Sequence, residues 1–233
     1  GVVSSSNEYV KAYEEIKGVE IIYEHEDFML VYKPTGVLSQ KDDSNKLSLN
    51  EYAIGYLLDK EVISEDSLSF FKPSVLNRLD RNTKGLVFVS KNLRGSQRIS
   101  EMLNVRSLHK YYYAIVEGNC TLNGNYNAYL VKDEKKNKVK IYTDSKKIPD
   151  NQKYSFIKTN IEALEYDGVY TKVQIELITG KSHQIRAHLK SIGHPIVGDV
   201  LYGGVEKTIK TQGQLLFAYK IQFVHPSTNK PMK

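Results

Sequence analysis

Asn77-Arg78-Leu79-Asp80-Arg81-Asn82-Thr83-Lys84 runs directly into Gly85-Leu86-Val87-Phe88-Val89-Ser90. The second half is a short apolar run that fits a buried strand. The first half is a polar loop with one carboxylate between two arginines. Flanking cations keep Asp80 ionised, and a loop at a strand edge exposes it to a ligand. A surface ion-pair cluster is the ordinary alternative on local chemistry alone.

Upstream of this stretch, Val19-Glu20-Ile21-Ile22-Tyr23 and Phe28-Met29-Leu30-Val31-Tyr32 flank His25-Glu26-Asp27, which reads as a hairpin. Lys33-Pro34-Thr35-Gly36 ends it in a defined turn, because proline cannot donate to a ladder and glycine permits a positive backbone angle. Ser48 with Glu51 is a capping-box pattern and predicts a helix over about 49–59. Residues 7–18 are polar and unpatterned, so 1–18 is expected to be an N-terminal extension or linker, and 60–75 a loop.

Downstream, Asn92 can cap a helix carrying Ile99, Met102 and Leu103. A strand is expected over 109–117. Residues 131–153 are rich in lysine, aspartate and asparagine and look like an exposed hairpin or excursion with a short Val139-Lys140-Ile141-Tyr142 strand inside it, their charge being most simply a solvated face. Val173, Ile175 and Leu177 alternate with polar residues, which gives a strand with one buried face. After the Thr179-Gly180-Lys181 turn, Ser182 caps a helix with Ile185, Leu189 and Ile192 as its apolar stripe, and Gly193 sits where a left-handed cap would stop it. Residues 214–224 make a last strand. Strands outnumber helices without β-α-β alternation, which predicts an α+β fold: a mixed, largely antiparallel sheet with flanking helices. One domain over 19–233 is the default.

Composition narrows the function classes. The chain has 233 residues, 33 basic against 27 acidic, for a net charge of +6 that suits a polyanionic partner. The single Cys120 rules out an internal disulfide framework and a cysteine-built metal site, and it fits a reducing compartment, so a cytoplasmic protein is expected. No apolar run approaches the roughly 18 residues of a membrane span. The chain starts at Gly1 without a methionine, which leaves room for a preceding domain. A monomer is expected.

Two further stretches carry candidate chemistry. In Lys110-Tyr111-Tyr112-Tyr113-Ala114-Ile115-Val116-Glu117-Gly118, strand alternation puts Tyr112, Ala114 and Val116 on one face. A tyrosine beside a small alanine leaves room for a flat ring, although aromatic stripes in strands more often serve packing. In Lys181-Ser182-His183-Gln184-Ile185-Arg186-Ala187-His188, His183 and Arg186 lie on one face at a helix start, an arrangement that suits an anion. Exposed polar residues on a capped helix are the ordinary alternative, and the histidine spacings lack a zinc pattern.

Together these stretches resemble the RluA-type pseudouridine synthases, in order and separation, from Ile22 to about Phe223. Lys33-Pro34-Thr35-Gly36 with Gln40 is similar to the family's first motif, and Gly193-His194-Pro195-Ile196-Val197-Gly198-Asp199 with Tyr202-Gly203 to its closing loop. The resemblance implies that 19–233 is the catalytic domain of an enzyme that converts uridine to pseudouridine in ribosomal or transfer RNA without a cofactor or metal. It implies Asp80 as the catalytic aspartate, Tyr112 as the active-site tyrosine and Arg186 as the basic residue that pairs with the aspartate. Arg78 matches the arginine near the flipped nucleotide. Leu79, Arg81, Gln40, Lys110, His183 and Gln184 are expected to contribute to substrate binding. The chain departs from the family pattern at Asn77, Asn82, Lys84 and Lys181. Two rivals come from other classes: an RNA-binding module that has lost catalysis, and a hydrolase using Asp80 with a histidine.

Overall fold

The computed structural model describes residues 2–105, 107–204 and 212–233. It divides the chain into two compact units, one made of Gly1–Leu108 with Phe223–Lys233 and the other of His109–Gln222. In the first unit helix α1 spans Val2–Glu15, strands β1 and β2 span Glu20–Glu24 and Phe28–Lys33, helix α2 spans Leu49–Asp59, strand β3 spans Lys84–Ser90 and helix α3 spans Leu93–Asn104. β2 pairs antiparallel with both β1 and β3, and a bulge at Ile22 interrupts the hairpin register. Its core contains Phe28, Met29, Val31, Leu49, Ile54, Phe88 and Ile99, all fully buried.

Local chemistry places the helices. Ser48 accepts from the Asn50 amide while Glu51 reaches back to the Ser48 amide at 2.8 Å, so the expected capping box starts α2. Asn92 accepts from the Gly95 amide at 2.9 Å and starts α3. A Cβ on Gly95 would overlap the Asp27 carbonyl, so glycine lets α3 sit tight against the hairpin turn. The N-terminal stretch differs from its unpatterned reading, because residues 2–15 are helical. Tyr9, Ala12 and Tyr13 lie at helical spacing; Tyr9 and Ala12 are buried and Tyr13 packs on Tyr52 with centroids 5.3 Å apart.

The second unit holds β4 (His109–Glu117), β5 (Asn123–Asp133), β6 (Lys138–Tyr142), β7 (Ser155–Tyr166), β8 (Tyr170–Leu177), helix α4 (Gln184–Ser191) and β9 (Leu216–Val224). The strand order is β9-β4-β8-β7-β5-β6, with antiparallel pairings, so β6 is an edge. The last two residues of β9, Phe223 and Val224, count with the first unit, where they pair with β10 (Pro231–Met232). α4 packs on one face of the sheet, where Ala187 joins Ala128, Leu130, Val139 and Ile157 in a buried cluster. The start of α4 departs from expectation. Ser182 is exposed, and the cap position falls on His183, in a left-handed conformation with φ 59°. Gly193, with φ +94°, ends the helix as expected.

Candidate active site

Asp80 stands on the loop before β3, and two side chains from elsewhere in its unit fix that loop. Ser39 Oγ accepts from the Leu79 amide at 3.0 Å and donates to the Leu79 carbonyl at 2.8 Å, so one buried hydroxyl satisfies both backbone groups next to Asp80. On the other side, the Arg81 carbonyl accepts from Lys33 Nζ at 3.0 Å and from the Gly36 amide at 2.8 Å. The Asp80 carbonyl accepts from the Thr83 amide, which closes a turn. Asn77 accepts from the Phe88 amide at 2.7 Å and so braces β3 in the manner of a neighbouring strand. Asp80 is half-buried, whereas Arg78, Arg81 and Lys84 are exposed around it. Gln40 is exposed too, while the Leu79 side chain is buried and belongs to the framework.

Lys33 is wholly buried and its ammonium donates to three carbonyls, those of Pro34, Val37 and Arg81. Burial lowers its pKa from 10.5 to about 8, and the nearby Asp80 carboxylate opposes part of that shift. Turnover is therefore expected to fall as pH rises through about 8, because the neutral amine loses a donor and a charge beside the Asp80 loop. Stability from this group moves the other way. Between about 8 and 10.5 the unfolded chain holds a proton that the folded chain has released, so this contribution rises with pH. A pH–rate profile run alongside thermal melts separates the two, and turnover that stays flat through pH 8 would contradict the assignment.

The second unit carries Tyr112 and Arg186 on the same side of its sheet. Tyr112, Ala114 and Val116 are buried, and Tyr112 lies opposite Ile175 and Ala218 in the ladder. Lys110 shares that face, and its Nζ lies 3.2 Å from where a Cβ on Gly180 would stand. Tyr111 and Tyr113 point to the opposite face, under the ammonium groups of Lys220 and Lys172 at 4.3 and 4.2 Å from their ring centres.

Arg186 is buried and gripped by Asp199 through two parallel bonds of 2.8 Å, from Nε to Oδ2 and from Nη2 to Oδ1. Its guanidinium also lies over the Tyr202 ring, 5.2 Å from the centre. His183 Nδ1 is 2.7 Å from the Tyr202 hydroxyl, so His183 and Arg186 share this ring as well as a place at the start of α4. Gln184 is buried with its amide spent on Thr179, Lys181, Lys158 and Thr159, a bracing position rather than the substrate contact expected of it. His188 bonds Thr159 at 2.8 Å and burial lowers its pKa to about 4, so it stays neutral and structural.

Of the expected trio, Asp80 thus belongs to one unit, and Tyr112 and Arg186 to the other. Sequence reasoning missed Lys33 and Asp199 as supports. A lysine closing the apolar run Phe28–Tyr32, and a lone acid among Ile196, Val197, Val200 and Leu201, were the available signals. Among the described residues no group of three or more His, Cys, Asp or Glu is arranged to hold a metal ion, and no helix is long and apolar enough to cross a membrane.

Residues 27–191 match the family model described as RNA pseudouridylate synthase, and the chain belongs to that family. A protein of Mycoplasma genitalium named as an uncharacterized RNA pseudouridine synthase is 32% identical over 215 residues, covering 92% of this chain and 65% of that protein. The ribosomal large subunit pseudouridine synthase D of Pseudomonas aeruginosa is 27% identical over 227 residues, covering 92% of this chain and 67% of its own. Relatives of that name place the chain in the RluA-type branch. It spans 65% of the length of its two Mycoplasma relatives. Two solved structures share the fold. Human RNA pseudouridylate synthase domain containing 4 has a TM-score of 0.70 at 17% identity, covering 93% of this chain and 88% of that one. Human RNA pseudouridylate synthase domain containing 1 has 0.66 at 23%, covering 93% and 82%. The expected α+β fold is borne out.

Proposed function

We propose that residues 19–233 form a catalytic domain that isomerises uridine to pseudouridine in structured ribosomal or transfer RNA, with Asp80 as the essential group. The observation that carries this reading is the Asp80 loop, locked by Ser39 and Lys33 and framed by exposed Arg78 and Arg81, within a chain whose residues 27–191 match the family. The target nucleotide leaves its stack at a cost of a few kcal/mol, and exposed arginines hold phosphates beside the gap. The bond from N1 to the ribose carbon breaks, the uracil turns while held, C5 joins the same ribose carbon, and as C5 gives up its proton N1 takes one up. Atoms balance without a cofactor. Asp80 acts on the sugar as nucleophile or as the carboxylate that stabilises a sugar-derived intermediate, Tyr112 packs on the uracil near the departing proton, and Arg186 stabilises negative charge. Cys120 is buried with its thiol pKa pushed up by burial, and as the single cysteine of these 233 residues it can form no internal disulfide, which suits a cytoplasmic protein.

The test is a map of pseudouridines in RNA from cells with and without the protein. One or more sites should vanish on deletion and return with the wild-type gene; an unchanged map would refute the proposal. Tyr112→Phe is expected to keep RNA affinity and slow turnover by about 100-fold or more, the usual range for a proton-handling group being about 10²- to 10⁴-fold. Tyr111→Phe and Tyr113→Phe should change turnover little, because both rings lie on the far face. Equal loss from Tyr111→Phe in single-turnover assays would contradict the assignment of Tyr112.

A further inference from the structure

The lysine-rich excursion has no part in the function proposed so far. Residues 131–153 contain eight lysines and four acids, a net of +4 in a chain whose whole excess is +6. Three of these lysines line an open cleft of about 440 Å³ between the β5–β6 hairpin and the end of α4. Lys136, Lys138 and Lys140 approach it from the hairpin and Lys190 from α4, with Asp133 the single acid among its lining residues. Its floor is apolar, formed in part by Ala187 and Tyr202.

The cleft and Arg186 share the Tyr202 ring. Lys190 lies four residues beyond Arg186 on α4, one helical turn away. Tyr202 joins the two: Arg186 lies over its ring at 5.2 Å, Lys138 lies over it at 5.5 Å, and its hydroxyl accepts from the Val139 amide of β6 at 3.0 Å. The ring thus fixes the position of the hairpin's lysines relative to α4.

We propose that this cleft is a second RNA subsite, one that takes phosphodiester groups of the substrate strand away from the nucleotide being converted. The inference rests on the isomerase reading for the identity of the RNA, but the binding chemistry stands on the lysines alone. Four ammonium groups around one opening neutralise phosphates and release their counterions, which gives affinity without reading sequence. The competing explanation is that β6, an edge strand, carries Lys138 and Lys140 to prevent strand addition. Either sign of charge serves that purpose, whereas only positive charge serves RNA.

The experiment compares wild type with two variants, one carrying Lys136→Gln, Lys138→Gln, Lys140→Gln and Lys190→Gln, the other Lys138→Glu with Lys140→Glu. Binding to a structured RNA is titrated at several salt concentrations, KM and kcat are measured on the same RNA, and thermal melts establish that each variant is folded. The quadruple variant should lower the slope of log affinity against log salt by about 3, since each phosphate left without its lysine takes about 0.7 to 0.9 from the slope. KM should rise with kcat nearly unchanged, and the glutamate pair should raise KM as well while staying folded and unaggregated. Slopes and KM equal to wild type in both variants would overturn the proposal in favour of edge protection. If the wild type bound RNA but converted no uridine, the isomerase reading would fall while the salt slopes still reported on the cleft.

Discussion

Asp80→Asn is expected to reduce product formation by about 10⁴-fold or more, to background, while leaving the protein folded and RNA affinity retained or raised. The substitution nearly preserves shape and removes only the anion. The hydrogen bonds that hold the loop run through backbone atoms of Leu79, Asp80 and Arg81, and none of these is touched. A negative charge leaves a surface framed by Arg78 and Arg81, so phosphate binding loses a repulsion. Lys33 should feel the change: the Asp80 carboxylate favours its protonated form, so Lys33 should release its proton at lower pH in the variant. Nucleoside analysis of treated RNA, gel-shift affinity and a thermal melt at matched concentration report on product, binding and folding. An RNA-binding module without catalysis would show no difference in product between the two proteins.

Asp199→Ala should cost about 3 to 5 kcal/mol of stability, because it removes the carboxylate that takes two hydrogen bonds from the buried Arg186 guanidinium. Turnover should fall with it, since Asp199 positions Arg186 through both a fixed fork and a fixed place over Tyr202. Loss of stability alone does not establish a functional role, and a second variant separates the two. Replacing Arg186 by Met together with Asp199 by Leu removes both charges and should restore most of the stability, as apolar replacements of buried ion pairs commonly do. It should restore no turnover. Urea unfolding read beside single-turnover rates checks this, and a double variant with wild-type turnover would show that the pair serves only the fold.

The elements that the sequence made legible are those set by local chemistry. α2 and α3 start at Ser48 and Asn92 because each cap is satisfied within a few residues of itself. β3 and β8 are legible as a solid apolar run and as a strict alternation. α1 escaped because its buried stripe is made of tyrosine and alanine in place of leucine and isoleucine. β5 escaped because Asn123, Asn125 and Asn127 occupy its exposed positions, and asparagine is uncommon in strands. β7 does alternate, with Ile157, Thr159 and Ile161 buried between Lys158 and Asn160, so its signal was present and unread. At the site, Asp80 stood out because its two arginines are its neighbours in sequence. The roles of Lys33 and Asp199 depend on partners 48 and 13 residues away, so folding alone brings each to the group it supports.

The most direct measurement is tritium release from RNA carrying uridine labelled at C5, by purified wild type and by Asp80→Asn at equal folded concentration. Forming the new bond at C5 expels that hydrogen, so release counts turnover without knowledge of the target site. Release by the wild type is expected to reach a plateau as its sites are converted, with none above background by the variant. Release by Asp80→Asn at the wild-type rate, or none by either protein on total cellular RNA, would contradict this expectation.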